Sequence, residues 1–237
     1  MNKERKKESH IIVALDRMRP EKALELASLL NGKVWGFKAN DLLDQMGPED
    51  CINKLSQYGN VMADPKFCDI PNTLKNRMPP YRKTNIVTVM ACSGKEALRA
   101  AIENSGGAKI AAVTVLTSLD EGECKKIFGD SPQVKVLRLS NMAQECGCEY
   151  IVCSPMELMN MPWYLKTSVK FINPGIRSAG VSVGDQKRIG TPWNAIRNGA
   201  SLLVMGREIT EAEDPLGVVQ RINEEIEKAL SERGDEK

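Results

Sequence analysis

Apolar runs recur along the chain at residues 11–15, 34–37, 61–63, 86–91, 110–116, 150–153, 169–172 and 202–205, each read as a strand, the third ending in Asp64 and Lys66. They read as nearly continuous hydrophobic stretches rather than as strict alternation, which is the pattern of parallel strands covered on both faces. Helix-period segments lie between them. Pro20 opens one that carries Leu24, Leu26, Ala27 and Leu30 and stops at Asn31-Gly32. Others cover residues 48–58, 95–104 and 133–146, and Pro71-Asn72-Thr73 marks a further helix start. The last, residues 216–230, repeats Ile222, Ile226 and Leu230 at four-residue spacing. Eight such units predict an α/β fold, a single-domain (β/α)8 TIM barrel over residues 1–237, with 1–9 and 231–237 as frayed tails. A doubly wound open sheet is the alternative, and its dinucleotide-binding version is weakened because no GxGxxG follows the first strand. No linker, low-complexity tract or internal repeat divides the chain.

Composition narrows the function classes. Hydrophobic residues are 42% and charged residues 27%, ordinary for a soluble globular chain. A formal net charge of +2 gives no field that would draw nucleic acid or an acidic membrane. The charges of Lys3, Glu4, Arg5, Lys6, Lys7 and Glu8 are mixed in sign and read as a solvated tail. No apolar segment approaches the roughly 20 residues of a membrane span, and the N-terminus lacks the apolar core of a signal peptide. Cys51, Cys68, Cys92, Cys124, Cys146, Cys148 and Cys153 form no CxxC pair. They read as reduced thiols packed as small hydrophobes in a cytoplasmic protein, not as a zinc site. The single histidine, His10, sits in the polar N-terminal stretch. A serine or cysteine triad normally needs a positioned histidine base, which a residue in that stretch does not suit, and a histidine-rich metal site is excluded, so chemistry falls to lysine, carboxylates and backbone.

Candidate chemistry gathers after the strands, where barrels of this type act. Asp16, Lys38, Asp64 with Lys66, Thr117 with Ser118, Pro174-Gly175 and Gly206-Arg207 all follow strand candidates. Each alone has a plain structural reading, as a helix cap, a turn residue or a solvated lysine. The densest stretch is residues 64–73, Asp-Pro-Lys-Phe-Cys-Asp-Ile-Pro-Asn-Thr. If residues 61–66 form a strand, Asp64 and Lys66 share a face. Lys38, Asp64, Lys66 and Asp69 alternate in sign, so each ammonium favours the charged form of its neighbours. A lysine held protonated between carboxylates is a proton donor aimed at one place. An inert ion-pair network is the structural alternative. Two stretches suit phosphate: Pro174-Gly175-Ile176-Arg177, which opens a Gly/Ser-rich loop over residues 178–190, and Gly206-Arg207.

These residues resemble one known family. Asp64-x-Lys66-x-x-Asp69-Ile70-Pro71-Asn72-Thr73 is similar to the signature of the orotidine 5′-phosphate decarboxylase family, which makes UMP. The similarity extends over nearly the whole chain. It includes Val13-Ala14-Leu15-Asp16, Phe37-Lys38, Val113-Thr114-Val115-Leu116-Thr117-Ser118 and Pro174-Gly175-Ile176-Arg177. It continues through Gly184-Asp185-Gln186-Lys187-Arg188, Thr191-Pro192 and Val204-Met205-Gly206-Arg207. The DxKxxD part alone also occurs in sister barrels, magnesium-dependent sugar-phosphate decarboxylases or aldolases. Ile70-Pro71-Asn72 argues against those. A non-catalytic nucleotide-binding barrel is the other alternative.

The resemblance implies a homodimeric barrel enzyme without metal or organic cofactor. It implies that Lys66 delivers the proton, that Asp64 sits near the departing carboxylate, and that Lys38 holds Asp64 and the ribose. Asp69, Ile70 and Thr73 would reach the partner subunit's site, Asp16 a ribose hydroxyl, and Thr117 or Ser118 the pyrimidine. Pro174, Arg177, Gln186, Gly206 and Arg207 would surround the phosphate, with the loop closing over it. Three positions depart from the family pattern: Pro65 for an aliphatic residue, Cys68 for a histidine, and Ala91-Cys92-Ser93-Gly94 without a histidine.

Overall fold

The structure, a computed structural model, describes residues 9–178, 188 and 190–234. Gln186 and most of the loop it belongs to lie outside these residues, as do 1–8 and 235–237. Eight parallel strands close a barrel in chain order. They are β1 (Ile11–Ala14), β2 (Gly36–Ala39), β3 (Asn60–Phe67), β4 (Ile86–Met90), β5 (Lys109–Val113), β6 (Tyr150–Val152), β7 (Lys170–Asn173) and β8 (Ala200–Met205). β8 closes on β1 through Ile11↔Leu203, Ile12↔Val204 and Val13↔Met205. This is the (β/α)8 TIM barrel expected from the strand pattern.

Strand alternation sorts the apolar side chains into two layers. Ile12, Met62, Ile86, Ala111, Val113, Val152, Ile172 and Val204 fill the barrel interior. Ile11, Val13, Phe37, Val61, Val87, Ile151, Phe171 and Leu203 point outward, under the helices. Both layers are apolar, which is why each strand reads as an unbroken run. Gly36 is required by close approach: a Cβ there would lie 2.0 Å from the Asn60 carbonyl oxygen of β3.

The helices follow their start signals. Proline stands in the first turn of Pro20–Leu29, Pro48–Leu55, Pro71–Arg77, Pro132–Glu145 and Pro192–Arg197. Helix Lys95–Asn104 lies within the expected range. Helix Glu121–Phe128 was not read from the sequence, although Asp120 and Glu123 form a capping box and Gly129 ends it in a left-handed turn. The last helix, Pro215–Gly234, buries Val219, Ile222, Ile226 and Ala229 and continues four residues past Leu230.

Two strand ends differ from the sequence reading in ways that shape the site. β2 lies two residues later than residues 34–37, so Lys38 is inside the strand rather than beyond it. An ammonium can remain there because two carboxylates meet it. β5 ends at Val113, and Val115 and Leu116 leave the sheet.

Candidate active site

The C-terminal ends of β1, β2 and β3 bring four charged side chains together. Lys38 Nζ lies 2.8 Å from each Asp16 carboxylate oxygen and 3.1 Å from Asp64 Oδ2. Lys66 Nζ lies 2.6 Å from that same Asp64 Oδ2. The chain of ion pairs is therefore Asp16–Lys38–Asp64–Lys66. Its middle is buried and its ends are open: side-chain exposure is 8% for Lys38 and 5% for Asp64, against 41% for Asp16 and 38% for Lys66. Burial pushes Asp64 up, but Lys38 and Lys66 outweigh it and hold the carboxyl below its usual range. Burial pushes Lys38 down, but Asp64 and Asp16 outweigh it and hold the ammonium above its usual range. Both groups are ionised at neutral pH.

Two residues not singled out in the sequence complete this centre. Thr88, on β4, donates from Oγ1 to Asp64 Oδ1 at 2.8 Å and accepts the Lys66 backbone N–H at 2.9 Å. Asn40 donates from Nδ2 to the Asp64 carbonyl at 2.6 Å. The available signal for Thr88 was a single hydroxyl in the otherwise apolar run Ile86-Val87-Thr88-Val89-Met90.

Pro65 is accommodated by an irregular strand. β3 advances from Ala63 to Phe67 while β4 advances only from Val87 to Val89, a bulge that relieves the backbone donor proline lacks. Lys66 takes a left-handed conformation there, with φ of 45°. Such a conformation costs of order 1 kcal/mol or more for a non-glycine residue and concentrates at functional sites. Phe67 then returns the chain to the core. It is buried, stacks under the Arg77 guanidinium at 4.2 Å, and meets Tyr81 edge-on at 5.1 Å.

Past Phe67 the chain turns outward. Asp69 and Ile70 are exposed and Thr73 is half-buried. The Asp69 carboxylate accepts the Ile70 N–H at 2.8 Å and makes no ion pair among the described residues. Within one chain, then, Asp16 rather than Asp69 is the second carboxylate of the network. Ile70 is 65% exposed, unusual for isoleucine. Cys68 and Cys92, two of the positions that depart from the family pattern, are both exposed and lie just past the ends of β3 and β4.

A cavity of about 360 Å³ opens over the charged centre. Its floor includes Met62, Val113, Val152 and Val204 of the barrel interior. Asp16, Lys38, Asp64 and Lys66 line it, together with Pro174, Arg177, Gly206 and Arg207 from the ends of β7 and β8. Thr117 lines it, and Ser118 does not. The stem at Arg177 is tied down: its N–H donates to the Gly190 carbonyl at 3.0 Å, and the Ser178 N–H donates to the Glu208 carboxylate at 2.9 Å. Among the described residues, no three His, Cys, Asp or Glu side chains are placed to hold a metal ion. No helix among them is long and apolar enough to cross a membrane.

Fold and site define a class: a (β/α)8-barrel enzyme with a lysine–carboxylate centre at the barrel mouth. Residues 9–222 match the family described as Orotidine 5′-phosphate decarboxylase / HUMPS. The chain belongs to that family. It is 38% identical over 229 residues to the orotidine 5′-phosphate decarboxylase of Nitrosomonas eutropha, covering 94% of this chain and 99% of the relative. It is 37% identical to the Nitrosomonas europaea enzyme of the same name, covering 93% and 98%. The crystal structure of orotidine 5′-phosphate decarboxylase from Lactobacillus acidophilus superposes with a TM-score of 0.75 at 28% identity, over 92% of this chain and 99% of that one.

Proposed function

We propose that this chain, acting as one cytoplasmic barrel domain, decarboxylates orotidine 5′-phosphate to UMP. The observation that carries the reading is the Lys66 ammonium, 2.6 Å from buried Asp64 and lining the same cavity as Arg177 and Arg207. The relatives' shared name agrees with it. In this reading the C–CO2⁻ bond of the pyrimidine breaks, carbon dioxide leaves, and the electron pair stays on the ring carbon. Lys66 donates its proton to that carbon and is reprotonated from solvent. Asp64 stands beside the substrate carboxylate, and their repulsion is relieved when carbon dioxide departs. Lys38 keeps Asp64 in place and, with Asp16, meets the ribose hydroxyls. Of Thr117 and Ser118, Thr117 is the one that lines the cavity, and it contacts the pyrimidine. Pro174, Arg177, Gln186, Gly206 and Arg207 surround the phosphate, whose binding energy is used at the reacting carbon. No metal or organic cofactor takes part.

The assay is the loss of orotidine phosphate absorbance with and without EDTA. Turnover that survives the chelator is expected. Turnover of a sugar phosphate that requires magnesium would instead favour the sister barrels, and binding of UMP without turnover would sink the enzyme reading.

The exposed Asp69, Ile70 and half-buried Thr73 support a homodimer in which these residues complete the neighbour's site. The expected result is complementation. Lys66→Ala and Asp69→Ala each retain at most about a hundredth of wild-type activity alone, but an unfolded and refolded equal mixture recovers about a quarter of it, because half the dimers are mixed and each has one intact site. A mixture no more active than its components would place Asp69 in its own subunit's site.

A further inference from the structure

Arg188 falls in the sequence near the end of the Gly/Ser-rich loop, residues 178–190, that opens from the phosphate candidate Arg177. The structure puts it behind the cavity instead: it is buried and is not part of the cavity wall. Its Nη1 forms an ion pair with Glu157 Oε1, and its Nη2 donates to the carbonyls of Leu116 at 2.8 Å and Val115 at 3.3 Å. The other Glu157 oxygen accepts the Ser154 N–H at 3.2 Å. Val115 and Leu116 lie past the end of β5, where strand pairing has stopped, and Val115, Leu116 and Thr117 all face the cavity. Two residues beyond Arg188, Gly190 pairs with the Arg177 stem: the Arg177 N–H donates to the Gly190 carbonyl at 3.0 Å, and the Gly190 N–H to Gly175 at 3.1 Å. Gly190 also packs flat on Pro155, where a Cβ would come within 2.7 Å of the proline ring. Arg188 therefore joins two parts of the site: its guanidinium holds the strand end that carries Thr117, and two residues further on its chain pairs through Gly190 with the stem that carries Arg177.

A buried ion pair is a weak device for stability alone, because an apolar pair of similar volume does as well or better. Here the Arg188 Nε is also left without a partner among the described residues. What the guanidinium offers is a rigid fork that reaches three acceptors at once.

We propose that Arg188 is a positioning residue that sets the distance between the base-binding and phosphate-binding ends of the cavity. The proposal rests on the nucleotide decarboxylase reading. Its substrate-level consequence is that Arg188 matters when the substrate carries a phosphate and matters little when it does not.

The test compares the wild type with the double variant Arg188→Met/Glu157→Gln, which removes both charges and leaves no uncompensated carboxylate. kcat and KM are measured on orotidine 5′-phosphate and on orotidine, the same nucleoside without phosphate, with thermal unfolding followed in parallel. The expected loss in kcat/KM is about a hundredfold for the nucleotide, the scale of an ångström-sized misplacement, and less than about fivefold for the nucleoside. Equal losses on both substrates, or no loss on the nucleotide, overturn the proposal. If the double variant does not fold, Arg188→Lys decides. It keeps the charge opposite Glu157 but not the fork to the two carbonyls, so full wild-type kinetics would show a charge-pairing role only, and a selective loss on the nucleotide supports positioning. A wild type inactive on orotidine 5′-phosphate would fail the functional reading itself. A wild type that is active beside an unaffected variant would fail only this inference.

Discussion

Lys66→Ala is expected to stay folded and to lower kcat for decarboxylation of orotidine 5′-phosphate by about 10²–10⁴-fold, the usual contribution of a positioned proton donor. The fold survives because the buried part of the network does not depend on Lys66. Asp64 keeps Lys38 at 3.1 Å and the Thr88 hydroxyl at 2.8 Å. The Lys66 side chain is 38% exposed, and a pair open to solvent at one end contributes about 1 kcal/mol or less. Alanine inherits the same left-handed backbone, so no new strain is added. The absorbance assay, with thermal unfolding of the same samples, separates loss of the proton from loss of the fold. Equal turnover in variant and wild type would remove Lys66 from the mechanism.

Asp64→Ala is expected to abolish activity and also to destabilise the protein, by about 3–5 kcal/mol, the range for breaking a buried pair from one side. It strips Lys38 of its buried counter-charge, leaving only the half-exposed Asp16, and removes the carboxylate that Lys66 contacts. For a chain of this size the loss corresponds to a fall in Tm of about 6–20 °C. Asp64→Asn, which keeps the shape and a hydrogen-bond acceptor, is the milder comparison. The pH dependence identifies the cause. The folded-state pKa of Asp64 lies below its unfolded value, so its stabilisation is present above about pH 4 and is lost as pH falls through the folded value. That of Lys38 is raised, so its stabilisation is present below about pH 10 and is lost as pH rises through the folded value. Wild-type Tm should thus decline on the acid side more steeply than that of Asp64→Asn, which has no carboxyl to protonate there. Parallel acid limbs would show that Asp64 contributes no such linkage.

The barrel was legible because parallel strands buried on both faces leave eight apolar runs, and their order is the chain order. Strand ends were less legible. Lys38 looked like the charge that stops a strand, yet it lies within β2, because its two carboxylate partners come from Asp16 and Asp64 on neighbouring strands. The convergence of Asp16, Lys38, Asp64 and Lys66 could be read from position alone, since strand ends meet at a barrel mouth. Thr88 and Asn40 could not. Each has several ordinary uses, and only the three-dimensional register puts one hydroxyl between the Asp64 carboxylate and the Lys66 amide. Arg188 was legible as a cation but not as to its direction, because its carboxylate partner is 31 residues away in the chain.

The left-handed backbone at Lys66 carries a consequence for how position 66 responds to selection. At φ of 45° the residue that fits with least strain is glycine, followed by asparagine. A substitution that relieves the backbone there gains stability of order 1 kcal/mol and loses the ammonium. A library at position 66 sorted for folded yield would therefore fill with glycine and asparagine and lose most of its turnover. Sorted for turnover, it would return to lysine and accept the weaker backbone, so the two screens would rank the same residues in opposite order.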